Sequence, residues 1–167
     1  MRNSIILAIS IAVLAGCSER RQSNSTPSKN TVIRDLKLST YNEGQKAWDL
    51  KCITAEVNER EKKINCLSPE IFLVKGSSVA AEIYGQEGII DLNTSKSFIK
   101  NRVKIYSHEQ GLKLFTEKLY FDSAKNLLWS DSRVRVLTDR TETVAAGFTA
   151  RPDMSNIKFY RHETKKI

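Results

Sequence analysis

Apolar residues recur at every second position over most of this chain. Residues 34–41 alternate, with Leu36 and Leu38 on one face. Residues 47–57 alternate too, with Trp48, Leu50 and Cys52 on one face and Ile53, Ala55 and Val57 on the other. A period of two marks a half-buried strand, because successive side chains leave the pleated backbone on opposite sides. Ile71-Phe72-Leu73-Val74 is a continuous apolar run, the pattern of a strand buried on both faces. Further short runs cover 79–84, 88–92, 102–106, 112–115, 119–122, 127–129, 133–137, 144–148 and 156–160. Turn-forming residues separate them, among them Gly76-Ser77-Ser78, Asn93-Thr94-Ser95, Glu109-Gln110-Gly111 and Pro152-Asp153. No segment after the first fifteen residues carries a helical period. Many short strands at spacings of about 8–12 residues predict an all-β sandwich, barrel or roll.

The strands repeat. Asp91, Asp122 and Asp153 fall 31 residues apart, as do Phe98, Trp129 and Tyr160. Arg102-Val103-Lys104-Ile105 is answered by Arg133-Val134-Arg135-Val136. A unit that recurs like this stacks on its neighbours to bury its apolar face, and stacked β units form long surfaces suited to binding. A plain β-meander also alternates, so chance matching is the competing explanation. Equal spacing puts the three aspartates at equivalent turns, where an Asp side chain bonds its own backbone.

The N-terminus differs from the rest. Residues 5–15 are almost wholly apolar behind a basic start. That run is shorter than the roughly 20 residues a spanning helix needs, and it matches a secretory h-region. It ends in Leu14-Ala15-Gly16-Cys17, which resembles the lipobox of bacterial lipoproteins. The expectation is a signal peptide over residues 1–16 and acylation of Cys17, which would hold the protein on a membrane surface. Residues 18–31 are polar, so 17–31 reads as a lipidated flexible tether and 32–167 as one periplasmic domain. The competing reading is an uncleaved anchor or a buried helix. Ser18 leaves open which membrane carries the anchor.

The chain carries a formal charge of +8. A basic balance suits nucleic acid, anionic lipid or acidic glycan, and export removes the first. A merely solvated surface explains the charge equally well. Two cysteines remain besides Cys17. If residues 58–61 form a hairpin turn, Cys52 lies opposite Cys66 at a separation near that of a disulfide. Two buried free thiols are the alternative, since one slip of register breaks the geometry. No base stands beside a Ser or Cys nucleophile, no His/Cys cluster has metal spacing, and no glycine-rich phosphate loop occurs. The expectation is therefore a non-enzyme without cofactor or metal.

Several motifs together resemble the LptC family, periplasmic components of lipopolysaccharide export, and more widely the OstA-like β-jellyrolls. They run in order from Tyr41-Asn42-Glu43-Gly44 and Trp48-x-Leu50 through Ala55-x-Val57, Pro69-Glu70-Ile71, Val79-Ala80-Ala81 and Arg102-Val103-Lys104-Ile105. They continue with Gly111-x-x-Leu114-x-Thr116-x-x-Leu119-x-Phe121-Asp122, Arg133-Val134-Arg135-Val136 and Val144-x-Ala146-Gly147-Phe148. Many members begin with a transmembrane helix where this chain has a lipobox.

The resemblance implies an open, twisted β-jellyroll of stacked antiparallel strands. It implies that the protein receives lipopolysaccharide from the periplasmic domain of an inner-membrane ABC transporter. The lipid would pass along a bridge of similar domains, with the protein anchored at the inner membrane. The lipid groove would be lined by Trp48, Leu50, Leu73, Val103, Ile105, Leu114, Leu119, Phe121, Val134, Val136, Phe148 and Phe159. Pattern alone would make these an ordinary core. Edge strands would dock partners: Leu36, Leu38 and Tyr41 the transporter, and Ile157, Tyr160 and the nearby Gly147 the next bridge protein. Arg102, Lys104, Arg133 and Arg135 lie on the opposite parity, as a phosphate-binding ladder or as charges kept for solubility. The basic tail, with Lys165 and Lys166, reads as solvated. Two rival readings are an outer-membrane lipoprotein acting as a structural or glycan-binding module, and a carrier of a different lipid.

Overall fold

The computed structural model describes residues 30–167, and every regular element in them is a strand. The signal peptide, Cys17 and nearly all of the tether lie outside the described residues. In chain order the strands are β1 (Thr31–Asn42), β2 (Gln45–Asn58), β3 (Lys63–Leu67), β4 (Glu70–Lys75) and β5 (Ser78–Tyr84). There follow β6 (Glu87–Asp91), β7 (Lys96–Ser107), β8 (Leu112–Asp122), β9 (Leu127–Ser130) and β10 (Val134–Leu137). The last are β11 (Thr141–Ala145), β12 (Gly147–Ala150), β13 (Lys158–Tyr160) and β14 (Glu163–Lys166). All pairings are antiparallel.

The architecture follows from a line of bends. β2 pairs β4 up to Lys51 and β3 from Thr54 onward. β7 pairs β6 up to Lys100 and β5 from Lys104. β8 pairs β10 up to Thr116 and β9 from Tyr120. The long strands therefore cross from one sheet to the other, while the shorter ones break in two at the same line. Non-glycine residues with positive φ mark several crossings: Asp35 (52°), Ser68 (51°), Asn101 (63°), Arg102 (54°) and Arg161 (49°). One sheet holds β4, β5, β10, β11 and β14, the other β3, β6, β9, β12 and β13, and β1, β2, β7 and β8 run through both. Two crossings return the chain to the same place one layer on, which is the physical origin of the 31-residue beat.

Each crossing also shifts side-chain parity. Leu112, Leu114 and Thr116 point inward on β8, then Leu119 and Phe121 do. On β2, Leu50 and Cys52 are followed inward by Ala55, with Ile53 left 60% exposed at the bend. This corrects the expectation that Cys52 and Ala55 occupy opposite faces. Strict alternation holds only while a strand stays in one sheet. The run 71–74 is also buried on one face rather than two. Ile71 and Leu73 are in the core, while Phe72 lies half-buried outside, against Tyr84 and under the Lys51 ammonium.

The inward residues form one apolar cluster. The repeat's outward positions are used as well. Tyr120 stacks between Phe98 and Trp129, at 4.8 and 5.2 Å between ring centroids. Asp91, Asp122 and Asp153 each accept a backbone N–H two or three residues on, as turn residues do. Cys52 and Cys66 are bonded, with Cα atoms 5.5 Å apart. The expected register is corrected, however, because Cys66 lies opposite Ala55 in the ladder. The hairpin turns at residues 59–62, where the Asn58 side chain accepts the Glu61 N–H, and the bend at Ile53 brings Cys52 back to Cys66.

Candidate functional site

The twelve expected groove residues do converge on a single interior between the two sheets. All but Trp48 and Phe159 are buried, several of them completely. Side chains of the described residues therefore fill this interior. Close packing of this kind admits hydrocarbon only if the sheets part. Each methylene then buried would contribute about 0.8 kcal/mol.

The sandwich is not closed on itself. Among the described residues β1 pairs only with β2, which leaves its outer edge free along its length. Leu36 and Leu38 pack against the core from this strand, while Tyr41 is 60% exposed near its end. At the far side the edge is double. Among the described residues β13 pairs only with β12, and β14 only with β11. Tyr160 is exposed on β13, and Ile157 lies half-buried just before it. Sequence reasoning missed β14, reading its lysines as solvated tail. Pairing gives them a place: Lys165 bonds Glu142 at 2.9 Å, and Thr164 shares a hydrogen bond with Thr143. The Lys165 ammonium holds the Glu142 carboxyl below the usual carboxylate range. Gly147 lies one strand inside the edge, buried on β12 opposite Tyr160. A Cβ there would stand 2.5 Å from the Ser130 carbonyl oxygen, so glycine is required for the β9–β12 approach.

A cavity of about 470 Å³ lies between the two sets of turns, lined by residues from both sheets such as Tyr41, Trp48, Leu73, Phe121 and Asp153. Lys75, at the end of β4, bonds Glu109 at 2.9 Å on its own sheet and Asp153 at 3.2 Å on the opposite one. These hydrogen bonds raise the Lys75 ammonium above its usual value. Burial pushes the Asp153 carboxyl up, but bonds from the Ser155 hydroxyl and N–H and from Lys75 outweigh it and leave the group below its usual value. Neither Lys75 nor the loop bearing Asp153 carried a signal in the sequence beyond its turn residues.

The basic ladder lies on the outer face. Arg102, Lys104, Arg133 and Arg135 surround a shallow cavity of about 440 Å³ over Phe115, with the Arg135 guanidinium 5.0 Å from that ring. Arg135 also approaches Glu142 at 3.8 Å. A second outer cluster joins Tyr84, Glu82 and His108. The Glu82 carboxylate accepts from Tyr84 and pairs with His108 at 2.8 Å, and the Tyr84 hydroxyl is pushed up to about 12. These contacts pin neighbouring strands. No group of three or more His, Cys, Asp or Glu able to hold a metal occurs among the described residues.

The described residues thus form a sandwich of bent strands with free edges, an apolar interior and a mouth between its turns. The sequence profile described as "Lipopolysaccharide-assembly, LptC-related" matches residues 4–164. The chain belongs to this LptC-related family. Among solved structures it is similar to LptH of Pseudomonas aeruginosa, described as the LptA-homologous periplasmic component of the lipopolysaccharide transport device. That likeness has a TM-score of 0.54 at 7% identity and covers 68% of this chain and 82% of LptH. At such identity it speaks for the fold, which is the all-β jellyroll of that neighbour. No curated protein sequence matches the chain. As an LptC-family member the protein is a periplasmic component of lipopolysaccharide transport. The reading as a structural or glycan-binding outer-membrane module finds no support.

Proposed function

We propose that this LptC-family protein takes lipopolysaccharide from the periplasmic domain of an inner-membrane ABC transporter and hands it to a bridge protein of the same fold. The observation that carries this reading is the pair of free edges on opposite sides of one apolar interior. An unpaired strand offers a row of N–H and C=O groups to a strand of another chain. With β1 against the transporter and β13 and β14 against the next domain, neighbouring interiors line up into one path for acyl chains. Leu36, Leu38 and Tyr41 then serve the first contact, and Ile157 and Tyr160 the second. Acylation at Cys17 would keep β1 close to the inner membrane. Catalysis has no part in this scheme, and no cofactor is required.

Pull-down with the transporter tests the order of docking. A proline at Lys37 or Ser39, exposed positions of β1, removes an N–H from the ladder. The variant expected to lose its donor function there should fail to retain the transporter while still retaining the bridge protein. Loss of both contacts, or of neither, would contradict the assignment of β1.

A further inference from the structure

The mouth between the turns poses a mechanical question. Four long strands run through the line of bends, so parting the sheets on that side would break continuous ladders. No backbone ladder joins the turn ends of the two sheets among the described residues. The mouth is thus where the sandwich opens at least cost.

The segment between β12 and β13 lies at this mouth, where Pro152 and Asp153 line the cavity. Residues 151–157 fold back on themselves, with the Arg151 N–H bonded to the Ser155 carbonyl and the Met154 N–H to the Arg151 carbonyl. This places the Met154 side chain, 1% exposed, in the core. Asp153 on the same segment reaches over to Lys75 on the other sheet. Both ends of that ion pair are partly exposed, and exposed pairs contribute little. The seal is therefore shallow: one methionine and one weak bridge. Beside it, the Trp48 indole N–H is buried without a hydrogen-bond partner among the described residues. A buried donor left unpaired disfavours the closed arrangement.

We propose that residues 151–157 form a strap over the acyl-chain intake of this domain, latched by Lys75–Asp153 and plugged by Met154. Lifting the strap withdraws Met154 and gives hydrocarbon a path past Tyr41, Trp48, Leu73 and Phe121. It also frees the Trp48 N–H to donate to an acyl ester or amide carbonyl. The ligand class is a lipid whose chains are joined through such carbonyls. This inference rests on the transport reading above and adds the place and the device of uptake.

The test uses the full chain, with Lys75→Ala, Asp153→Asn and the conservative Lys75→Arg. Hydrogen exchange reports on amides 151–157, and lipopolysaccharide uptake is timed by a dye-labelled acyl chain. Lys75→Ala and Asp153→Asn should each raise loop exchange and speed uptake about threefold, the size expected of an exposed ion pair, and Lys75→Arg should leave both unchanged. Unchanged loop exchange overturns the latch. Faster exchange with unchanged uptake overturns the mouth as the route. Should no form take up the lipid, the transport reading fails, and the latch stands or falls on loop exchange alone.

Discussion

Cys66 is bonded to Cys52 but faces Ala55 across the β2–β3 ladder. The bond therefore ties the β1–β2 corner of one sheet to the other sheet at the line of bends. Replacing both cysteines by alanine is expected to lower stability by about 2–4 kcal/mol, the usual effect of a bridge closing so short a loop. Urea unfolding with and without reductant measures this. Equal midpoints would show that the bond adds nothing to the corner.

Gly147 makes a sharper prediction. A methyl group there meets the Ser130 carbonyl at 2.5 Å, and backbone cannot move aside as a flexible side chain would. Gly147→Ala should cost about 1–3 kcal/mol, in the range of overpacking in a core. It should also weaken bridge-protein binding, because β13 is seated on β12. Calorimetry and pull-down check the two effects together. Gly147→Arg, which co-purifies normally only if this edge is not used, extends the test.

Tyr120 lies between Phe98 and Trp129 on the outer face, so its loss unstacks two rings. Tyr120→Ala should destabilise by about 0.5–1.5 kcal/mol per lost pair beyond the buried area. Phe98→Ala should cost less, since it removes one pair. A double-mutant cycle between Phe98 and Trp129 should show weak coupling, because Tyr120 separates them.

The strap has a defined pH window. Asp153 is held below its usual value, so its contribution is present above the unfolded pKa near 4 and is lost as pH falls through the folded value. Lys75 is raised, so its contribution is complete below about 10.5 and is lost as pH rises past the folded value. Exchange of amides 151–157 relative to the β8 core should stay flat between about pH 5 and 9 and rise below about pH 4. A midpoint near pH 7 would implicate another group.

Much of this was legible in the sequence. Alternation exposed the strands, and the 31-residue spacing of Asp91, Asp122 and Asp153 identified equivalent turns. The inward set from Leu50 to Phe148 was also readable, since burial favours apolar side chains at one parity. The bends were not. Asp35, Ser68 and Arg102 adopt positive φ without being glycine, so nothing local announces the parity shift they impose. In β2 the shift between Cys52 and Ala55 comes without any positive-φ residue, so alternation alone puts the two on opposite faces. β14 was hidden for another reason: its partner β11 supplies Glu142 and Thr143, and a run of exposed polar residues reads as tail until that partner is known. The strap depends on Lys75 meeting a residue far along the chain, a contact only the fold creates.

Site-specific photocrosslinking to lipopolysaccharide tests the transport account most directly, with the probe placed at Phe121 and, in turn, at its neighbour Tyr120. Phe121 points into the mouth cavity, and Tyr120 stacks on the outer face. The account predicts crosslinks from position 121, dependent on the transporter's ATP, and none from position 120. Crosslinks from 120 alone, or equally from both, would contradict it.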